Sequence, residues 1–133
     1  MIGDGLPEVM GMTYVSVEVS KGRGGPRKSI RLLVDTGAAD SILPARLIRG
    51  MGVRREWREE YELANGEPMV RDVGRIYVHY RGRSIETLVV FGEPGDAHVL
   101  GAYSMEGLRL EVDPHSGRVR RKKRLLAVGA TSS

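Results

Sequence analysis

LLVDTGAADSIL, residues 32–43, is the stretch of sequence on which the interpretation of this chain depends. It places an acid, a hydroxyl and a glycine (Asp35, Thr36 and Gly37) between two apolar runs. A carboxylate beside a buried strand is costly unless it is hydrogen-bonded or paired, so its presence there indicates that the carboxylate is used. The glycine allows a sharp turn close to another chain or a ligand, and the threonine hydroxyl both donates and accepts.

Taken alone, the tripeptide Asp35-Thr36-Gly37 has two interpretations. It is either a plain turn after a strand, in which the Asp35 side chain bonds its own backbone, or a loop that carries chemistry. Three residues do not decide between them, because so short a motif also arises by chance. The elements around the loop and their order are therefore needed to decide between the two interpretations.

Alternation of apolar and polar residues predicts strands on both sides of this loop. The clearest case is TYVSVEVS at 13–20, where every second residue from Val15 is a valine. Three pairs of runs, each separated by a turn that contains glycine, predict hairpins: 13–20 with 29–34, the two halves of Tyr61–Val70 about Asn65-Gly66, and Arg75–Tyr80 with Ser84–Phe91.

Two short helices and a last pair of strands complete the prediction. Proline at the start and glycine at the end indicate a helix over residues 44–50, and a second brief helix is expected over 101–107. Strands at 108–112 and 118–128 flank a turn. About eight strands with one or two short helices predict an all-β fold, a barrel or a sandwich.

Length and composition limit the class of protein. The 133 residues, 41% of them hydrophobic, suffice for a single domain over 1–133 with a core over about 9–128. The absence of cysteine excludes disulfides, Cys-ligated metals and thiol catalysis. No apolar run is long enough to span a bilayer, and Met1–Met12 lacks the pattern of a secretory signal, so we expect a cytoplasmic protein with no membrane partner.

In this order, the elements resemble those of the retropepsin-like (retroviral-type) aspartic proteases. The apolar strand followed by Asp-Thr-Gly-Ala at 35–38 resembles their active-site loop, and AHVLG at 97–101 resembles their second motif. The hairpin at 61–70 lies where the family has its flap. LRLEVDPHSG at 108–117 is similar to the last strand and turn of the cellular, single-domain members, and the resemblance extends over about residues 9–120.

The resemblance implies a fold, a reaction and an assembly. The fold is a closed barrel or sandwich with a flap hairpin, in which one chain forms one lobe. The reaction is hydrolysis of peptide bonds by a water that two aspartates activate, so the implied activity is that of an aspartic endopeptidase acting on extended peptides or unfolded protein. Because the chain has a single Asp-Thr-Gly, two Asp35 carboxylates require a homodimer. No cofactor and no metal are implied.

The resemblance also assigns the site residues. Asp35 is the catalytic acid and base, Thr36 locks the two loops of the dimer together, and Gly37 lets the backbone approach the substrate. Substrate binding is assigned to the loop, the flap tip and the second motif, through Ala38, Asp40, Ile42, Ala64, Asn65, Gly66, Ala97 and Val99. An alternative with the same fold is a dimerisation or peptide-binding module with little or no protease activity.

Two positions depart from the viral pattern. Viral members usually have an aspartate after the alanine of the loop and an arginine after the glycine of the second motif, and these two residues pair. Here the positions are Ala39 and Ala102. Both charges are absent together, so no unpaired charge is left behind, and the viral manner of bracing the dimer is not expected.

The positive charge is concentrated near the C-terminus. Six of the 21 Lys and Arg residues lie in the segment Arg118–Arg124, and subtracting them changes the net charge from +4 to −2. We interpret this segment as a solvated edge strand. Nucleic-acid binding is the less favoured interpretation, because no aromatic residues for base stacking are interleaved. Participation in the dimer interface is a third.

No second catalytic constellation is found in the sequence. The three histidines, His79, His98 and His115, have no metal-ligand spacing and are expected to be partly exposed at the surface. The serines lack the Gly-x-Ser-x-Gly setting of a hydrolase, and the glycines of residues 21–25 do not follow a phosphate-loop pattern.

Overall fold

The computed structural model describes residues 11–123 and shows a chain of mainly β structure with two short helices. The helices are α1 (Ala45–Gly50) and α2 (Ala102–Leu108), and neither is long and apolar enough to cross a membrane. The strands described in this range are β1 (Tyr14–Ser20), β2 (Lys28–Val34), β3 (Ser41–Pro44), β4 (Trp57–Glu62), β5 (Pro68–Tyr80), β6 (Arg83–Gly92), β7 (Val99–Leu100), β8 (Leu110–Val112) and β9 (Val119–Arg121). The predicted all-β class and the two predicted helices are confirmed.

Seven of these strands form one sheet that curls and partly closes. Its order is β1-β2-β7-β3-β6-β5-β4, and β1 also pairs with β5 through residues 18–20 and 77–79. The pairs β2–β7 and β3–β6 are parallel, whereas the β1–β2, β5–β6 and β4–β5 pairs are antiparallel hairpins. Because β1 has neighbours on both sides, β4 is the strand left at an edge of this sheet among residues 11–123.

The core lies inside this curled sheet, and strand alternation explains which side chains enter it. In β1, Val15, Val17 and Val19 are buried while Glu18 between them is exposed. β1 pairs with β2 from Tyr14–Leu33 to Val19–Lys28, which confirms the predicted hairpin over residues 13–34. The core continues with large side chains from the other elements, among them Leu32, Leu43, Ile48, Ile76, Phe91 and Leu100.

Strand β5 is longer than the sequence predicts. It pairs with β4 over residues 68–73 and with β6 over 73–80, so the predicted runs 61–70 and 75–80 belong to one continuous system of strands. At the crossing point Gly74 has no room for a side chain, because a Cβ there would lie 2.8 Å from the carbonyl oxygen of Arg54. The loop before β4 is therefore packed directly on β5.

Ion pairs explain how β5 carries charged residues in its middle. Arg71 forms a bidentate pair with Asp96 of the β6–β7 connection, with N–O distances of 2.8 and 2.9 Å. Hydrogen bonds from Arg71 hold the pKa of Asp96 below its usual value. The next residue, Asp72, is surrounded by arginines. The two charges that interrupt the apolar pattern in the sequence therefore have partners that only the tertiary structure supplies.

His79 corrects the surface position that the sequence predicted. Its side chain is buried, with Nε2 2.7 Å from Ser20 Oγ and Nδ1 2.6 Å from Ser84 Oγ. The cause is the double pairing of β5, which has β1 on one side of position 79 and β6 on the other. His98 and His115 are exposed.

The C-terminal part described by the structure is a small second sheet. β8 and β9 pair antiparallel from Leu110–Arg121 to Val112–Val119. Of the predicted strand over 118–128, Val119–Arg121 form a strand, whereas residues 122 and 123 do not. The part of that predicted strand after residue 123, Arg124 of the basic segment, and residues 9, 10 and 124–128 of the predicted core lie outside the described residues.

Candidate functional site

The loop that carries Asp35 continues the pairing of β2 with β7. The Asp35 N–H donates to the Leu100 carbonyl oxygen at 3.1 Å, directly after the last parallel pair, Val34–Leu100. The chain then turns, and the Ala38 N–H donates to the Asp35 carbonyl oxygen at 3.1 Å. Residues 35–37 are exposed. The Asp35 carboxylate, directly after strand β2, therefore lies at the surface.

The Asp35 carboxylate is held by its own loop on one side. The Gly37 N–H donates to Asp35 Oδ1 at 3.0 Å, which is the local contact expected of a turn. A carboxylate has about four acceptor positions, so this single bond leaves most of them for other partners. A Cβ at Gly37 would lie 3.2 Å from the same oxygen, so a larger residue would crowd the carboxylate.

The first turn of α2 holds the loop from behind. The Ala102 N–H donates to the Ala38 carbonyl oxygen at 2.7 Å, and the Tyr103 N–H donates to that of Ala39 at 3.1 Å. The first amides of a helix have no partner inside it, and here the loop supplies their acceptors. Ala39 and Ala102, the two positions that depart from the viral pattern, thus brace the loop through backbone bonds that need no charged pair.

Two buried serines and a glycine fasten the loop to α2. Ser41 Oγ accepts from the Gly101 N–H at 3.0 Å and lies 2.6 Å from Ser104 Oγ. A Cβ at Gly101 would lie 2.7 Å from the carbonyl carbon and oxygen of Asp40 and 2.9 Å from the carbonyl oxygen of Ala38. Gly101 stands in the AHVLG motif, but its steric role depends on a contact between distant segments that the sequence does not reveal.

A cavity of about 550 Å³ lies between the Asp35 loop and the β4–β5 hairpin. Its volume is in the range of small-molecule and peptide side-chain sites. Apolar side chains from the hairpin, β3 and β6 form most of its walls, which consist of Asp35, Gly37, Ala38, Ala39, Asp40, Ile42, Tyr61, Glu62, Leu63, Ala64, Met69 and Val90. The Asp35 carboxylate therefore borders a largely apolar space that the hairpin covers.

Tyr61 connects the hairpin to the loop across this cavity. Its hydroxyl donates to Asp40 Oδ2 at 2.8 Å. Burial raises the pKa of Tyr61 above its usual value, and the hydrogen bond to the Asp40 carboxylate raises it further. Both effects favour the neutral phenol, which is the form that donates this bond.

The predicted site residues fall into two groups. Six of them line the cavity together, namely Asp35, Gly37, Ala38, Asp40, Ile42 and Ala64. The others lie elsewhere. Thr36 is exposed beside Asp35, Ala97 is exposed before β7, and Val99 is buried in the sheet between β2 and β3. Val99 is therefore buried within the sheet and is not among the residues that line the cavity.

The tip residues Asn65 and Gly66 form the turn itself and are not among the residues that line the cavity. Asn65 Oδ1 accepts from the Glu67 N–H at 3.0 Å, and Asn65 Nδ2 donates to Glu67 Oε1 at 2.8 Å. Gly66 has a φ of +87°, which glycine adopts without strain. The side chain of Asn65 therefore forms hydrogen bonds within the turn and stabilises the tip of the hairpin.

Four cavity residues of the hairpin were absent from the predicted site residues: Tyr61, Glu62, Leu63 and Met69. Tyr61 and Met69 face each other in the β4–β5 register, so their side chains share one face of the hairpin. Leu63 lies two residues after Tyr61, on the same face by alternation. This period-two spacing is a sequence signal for a shared strand face, but the charged residues before Tyr61 obscure the strand pattern of β4.

Among the described residues, no cluster of metal-binding side chains accompanies the cavity. Within residues 11–123 there is no group of three or more His, Cys, Asp or Glu side chains that would hold a metal ion. What the described residues offer is an exposed carboxylate, a mostly apolar cavity and a covering hairpin. Comparison of the chain with known protein families and with curated proteins finds no match in either case.

Proposed function

We propose that this protein is an aspartic endopeptidase of retropepsin-like fold, in which two copies of the chain each supply one Asp35. The observation that carries the proposal is the position of the Asp35 carboxylate beside a cavity of about 550 Å³ that the β4–β5 hairpin covers. Backbone hydrogen bonds from α2 to the Asp35 loop support the proposal, because they hold the Asp35 carboxylate in a fixed position at the surface.

The reaction needs two carboxylates that share one proton. Like charges about 3 Å apart do not both ionise, so one carboxyl group stays protonated. The ionised group takes a proton from water as the water oxygen attacks the carbonyl carbon, while the protonated group hydrogen-bonds the carbonyl oxygen. The leaving nitrogen then receives a proton as the C–N bond breaks. No covalent intermediate forms.

Each chain holds half of this machinery. Asp35 is part of the one Asp-Thr-Gly in the sequence, so a homodimer with two-fold symmetry is needed to bring two Asp35 side chains together. The exposed Thr36 is proposed to hydrogen-bond the partner's loop and to fix the distance between the carboxylates. An isolated monomer would be inactive.

The proposed substrate is an extended segment of peptide or unfolded protein. The apolar walls around Ile42, Leu63 and Met69 suit an apolar side chain next to the scissile bond. Closure of the hairpin excludes water other than the attacking molecule. The cytoplasm is the proposed location, on the sequence argument alone.

The experiment compares the native chain with Asp35→Asn on a library of unfolded peptides, from acid to neutral pH. Asparagine keeps the shape of the side chain and removes its acid-base function. We expect cleavage by the native chain and a loss of about 10²- to 10⁴-fold in the variant. The matched control is Glu86→Gln, an exposed acid of β6 outside the cavity, which leaves cleavage unchanged. Failure of the native chain to cleave at any pH rejects the proposal.

Sedimentation tests the assembly separately. We expect a species of twice the 14.6 kDa monomer mass. A strictly monomeric chain at high concentration contradicts the mechanism. A dimer that binds extended peptides without cleaving them supports the alternative, a peptide-binding module of the same fold.

A further inference from the structure

A cluster of arginines surrounds Asp72 near the start of the β4–β5 hairpin, away from the Asp35 cavity. Asp72 Oδ1 accepts from Arg58 at 2.9 Å and from Arg55 at 3.1 Å, and Oδ2 accepts from Arg49 at 3.2 Å. The Asp72 side chain is 14% exposed, whereas the three arginines are more than half exposed. One carboxylate thus gathers three guanidinium groups at a surface.

The adjoining cavity adds further positive charge. It has a volume of about 710 Å³ and is lined by Lys21, Arg49, Gly52, Val53, Arg54, Arg55, Asp72 and Phe91. With Arg58, five cations stand against the single carboxylate of Asp72, an excess of four charges. The nearest acid along the chain, Glu56, pairs with Arg75 at 3.1 Å and does not reduce this excess.

Packing positions the loop that carries Arg54 and the side chain of Arg49. The Arg54 carbonyl oxygen lies so close to Gly74 that no side chain fits between them, which fixes the loop on β5. The Arg49 guanidinium stacks over the Phe91 ring at 5.1 Å from its centroid. Each guanidinium has five N–H donors, and the bonds to Asp72 use one donor from each of three. Most donors therefore stay available around a shaped cavity.

We propose that this cavity binds a compact, multiply charged phosphate ligand, of the kind that a polyphosphate chain provides. Arginine forks match phosphate oxygens in geometry, and an excess of four charges matches a ligand with several negative charges close together. The cavity volume also suits a small ligand. Binding here is independent of peptide hydrolysis at Asp35, so either proposal can fail without the other.

A nucleic-acid strand fits this site less well than a compact ligand. The cations converge on one concavity, whereas a strand needs a charged track with aromatic side chains for its bases. The aromatic residue of the cavity is Phe91, which is buried beneath Arg49. Trp57 is exposed nearby, but it precedes Arg58 in strand β4 and so points to the opposite face.

The described part of the basic segment carries less unbalanced charge than the sequence indicates. Arg120 pairs with Glu111 at 2.7 Å and with Asp113 at 3.2 Å, and Lys122 lies 3.7 Å from Glu106. Arg118 and Arg121, which are exposed and have no ion pair within residues 11–123, provide a matched charge control for the cavity.

The test is calorimetric titration of the full chain with inorganic tripolyphosphate at low salt. We compare Arg54→Gln/Arg55→Gln with the control Arg118→Gln/Arg121→Gln, which removes the same charge elsewhere. Loss of two charge-assisted contacts should weaken binding at least about tenfold in the first variant, and the control should change it less than about twofold. Urea unfolding of both variants verifies that they fold.

Three results overturn the proposal. The first is no binding of tripolyphosphate at low salt. The second is equal weakening in both variants, which indicates attraction by net charge alone. The third result is tighter binding of a single-stranded RNA or a poly-glutamate peptide than of tripolyphosphate, with loss of that affinity in the cavity variant. This result assigns the site to a macromolecule. Lys21→Gln, a single change at the cavity rim, repeats the test if the double variant fails to fold.

Discussion

The Tyr61 hydroxyl donates a hydrogen bond to Asp40 Oδ2 over 2.8 Å and thereby joins the β4–β5 hairpin to the loop that carries Asp35. Tyr61 lies opposite Met69 in the hairpin, and Asp40 lies five residues after Asp35. The contact spans the cavity between the two elements. It holds the hairpin against the Asp35 loop of the same chain.

The first prediction concerns removal of this contact by Tyr61→Phe. The ring keeps its packing and the hydroxyl is lost, so the free energy of unfolding should fall by about 1–2 kcal/mol, as expected for a partly exposed hydrogen bond to a charged group. Urea unfolding measures it. Tyr103→Phe is the control, because Tyr103 is 66% exposed on α2 and should show no change. Equal stability of wild type and Tyr61→Phe contradicts the importance of this bond.

The same contact predicts the titration of Tyr61. Burial raises its pKa above 10.0, with the hydrogen bond to Asp40 as the second cause. Because the folded pKa is raised, the stabilisation is complete below pH 10.0 and is lost as the pH rises toward the folded pKa. Asp40→Asn should lower the pKa without returning it to 10.0, since burial remains. Ultraviolet difference titration against Tyr61→Phe isolates this tyrosine, and an unchanged titration in Asp40→Asn contradicts the assignment.

The second prediction concerns Gly101→Ala. The added Cβ would lie 2.7 Å from the Asp40 carbonyl group, and both contacts are to backbone that cannot rotate away. We expect a loss of about 2–4 kcal/mol in the free energy of unfolding, with displacement of the Asp35 loop. The control is Gly24→Ala, where a Cβ meets nothing within 4 Å. If both alanines are tolerated equally, the close approach of α2 to the loop is wrong.

The third prediction concerns acid pH. Burial lowers the pKa of His79 below 6.5, and the nearby Arg27 and Arg23 lower it further, while Glu18 acts in the opposite direction. Because the folded pKa is depressed, its stabilisation is complete above pH 6.5 and is lost as the pH falls through the folded pKa. Unfolding free energies at about pH 7.5 and about pH 5 should therefore differ less in His79→Gln than in wild type. The exposed His115 serves as the control, and His115→Gln should keep the wild-type difference.

Much of the local structure could be predicted from the sequence. The valines of β1 alternate and enter the core, the turn at 21–28 joins a hairpin, and proline and glycine delimit α1. Asp35, Ala38 and Asp40 lie together at one cavity because they share one short loop. These features depend on neighbours within a few residues, so periodicity and turn chemistry suffice to find them.

Other features depend on which strands become neighbours. His79 is buried in β5 between β1 and β6, and Val99 is buried in β7 between β2 and β3. Net charge does not reveal the arginines around Asp72, because Glu56 of the same stretch balances them in the sequence but pairs with Arg75 in the structure. The local sequence pattern reveals none of these three features.

The sequence by itself determined the all-β class, the turns and the single carboxylate loop that one chain can contribute. The tertiary structure decided what surrounds that loop. Tyr61 contacts it from the hairpin, the first amides of α2 donate to its carbonyl groups, and Gly101 allows α2 and the loop to approach each other. The physical reason is that strand alternation sets which face a side chain occupies, whereas pairing register between distant segments sets which side chains come into contact.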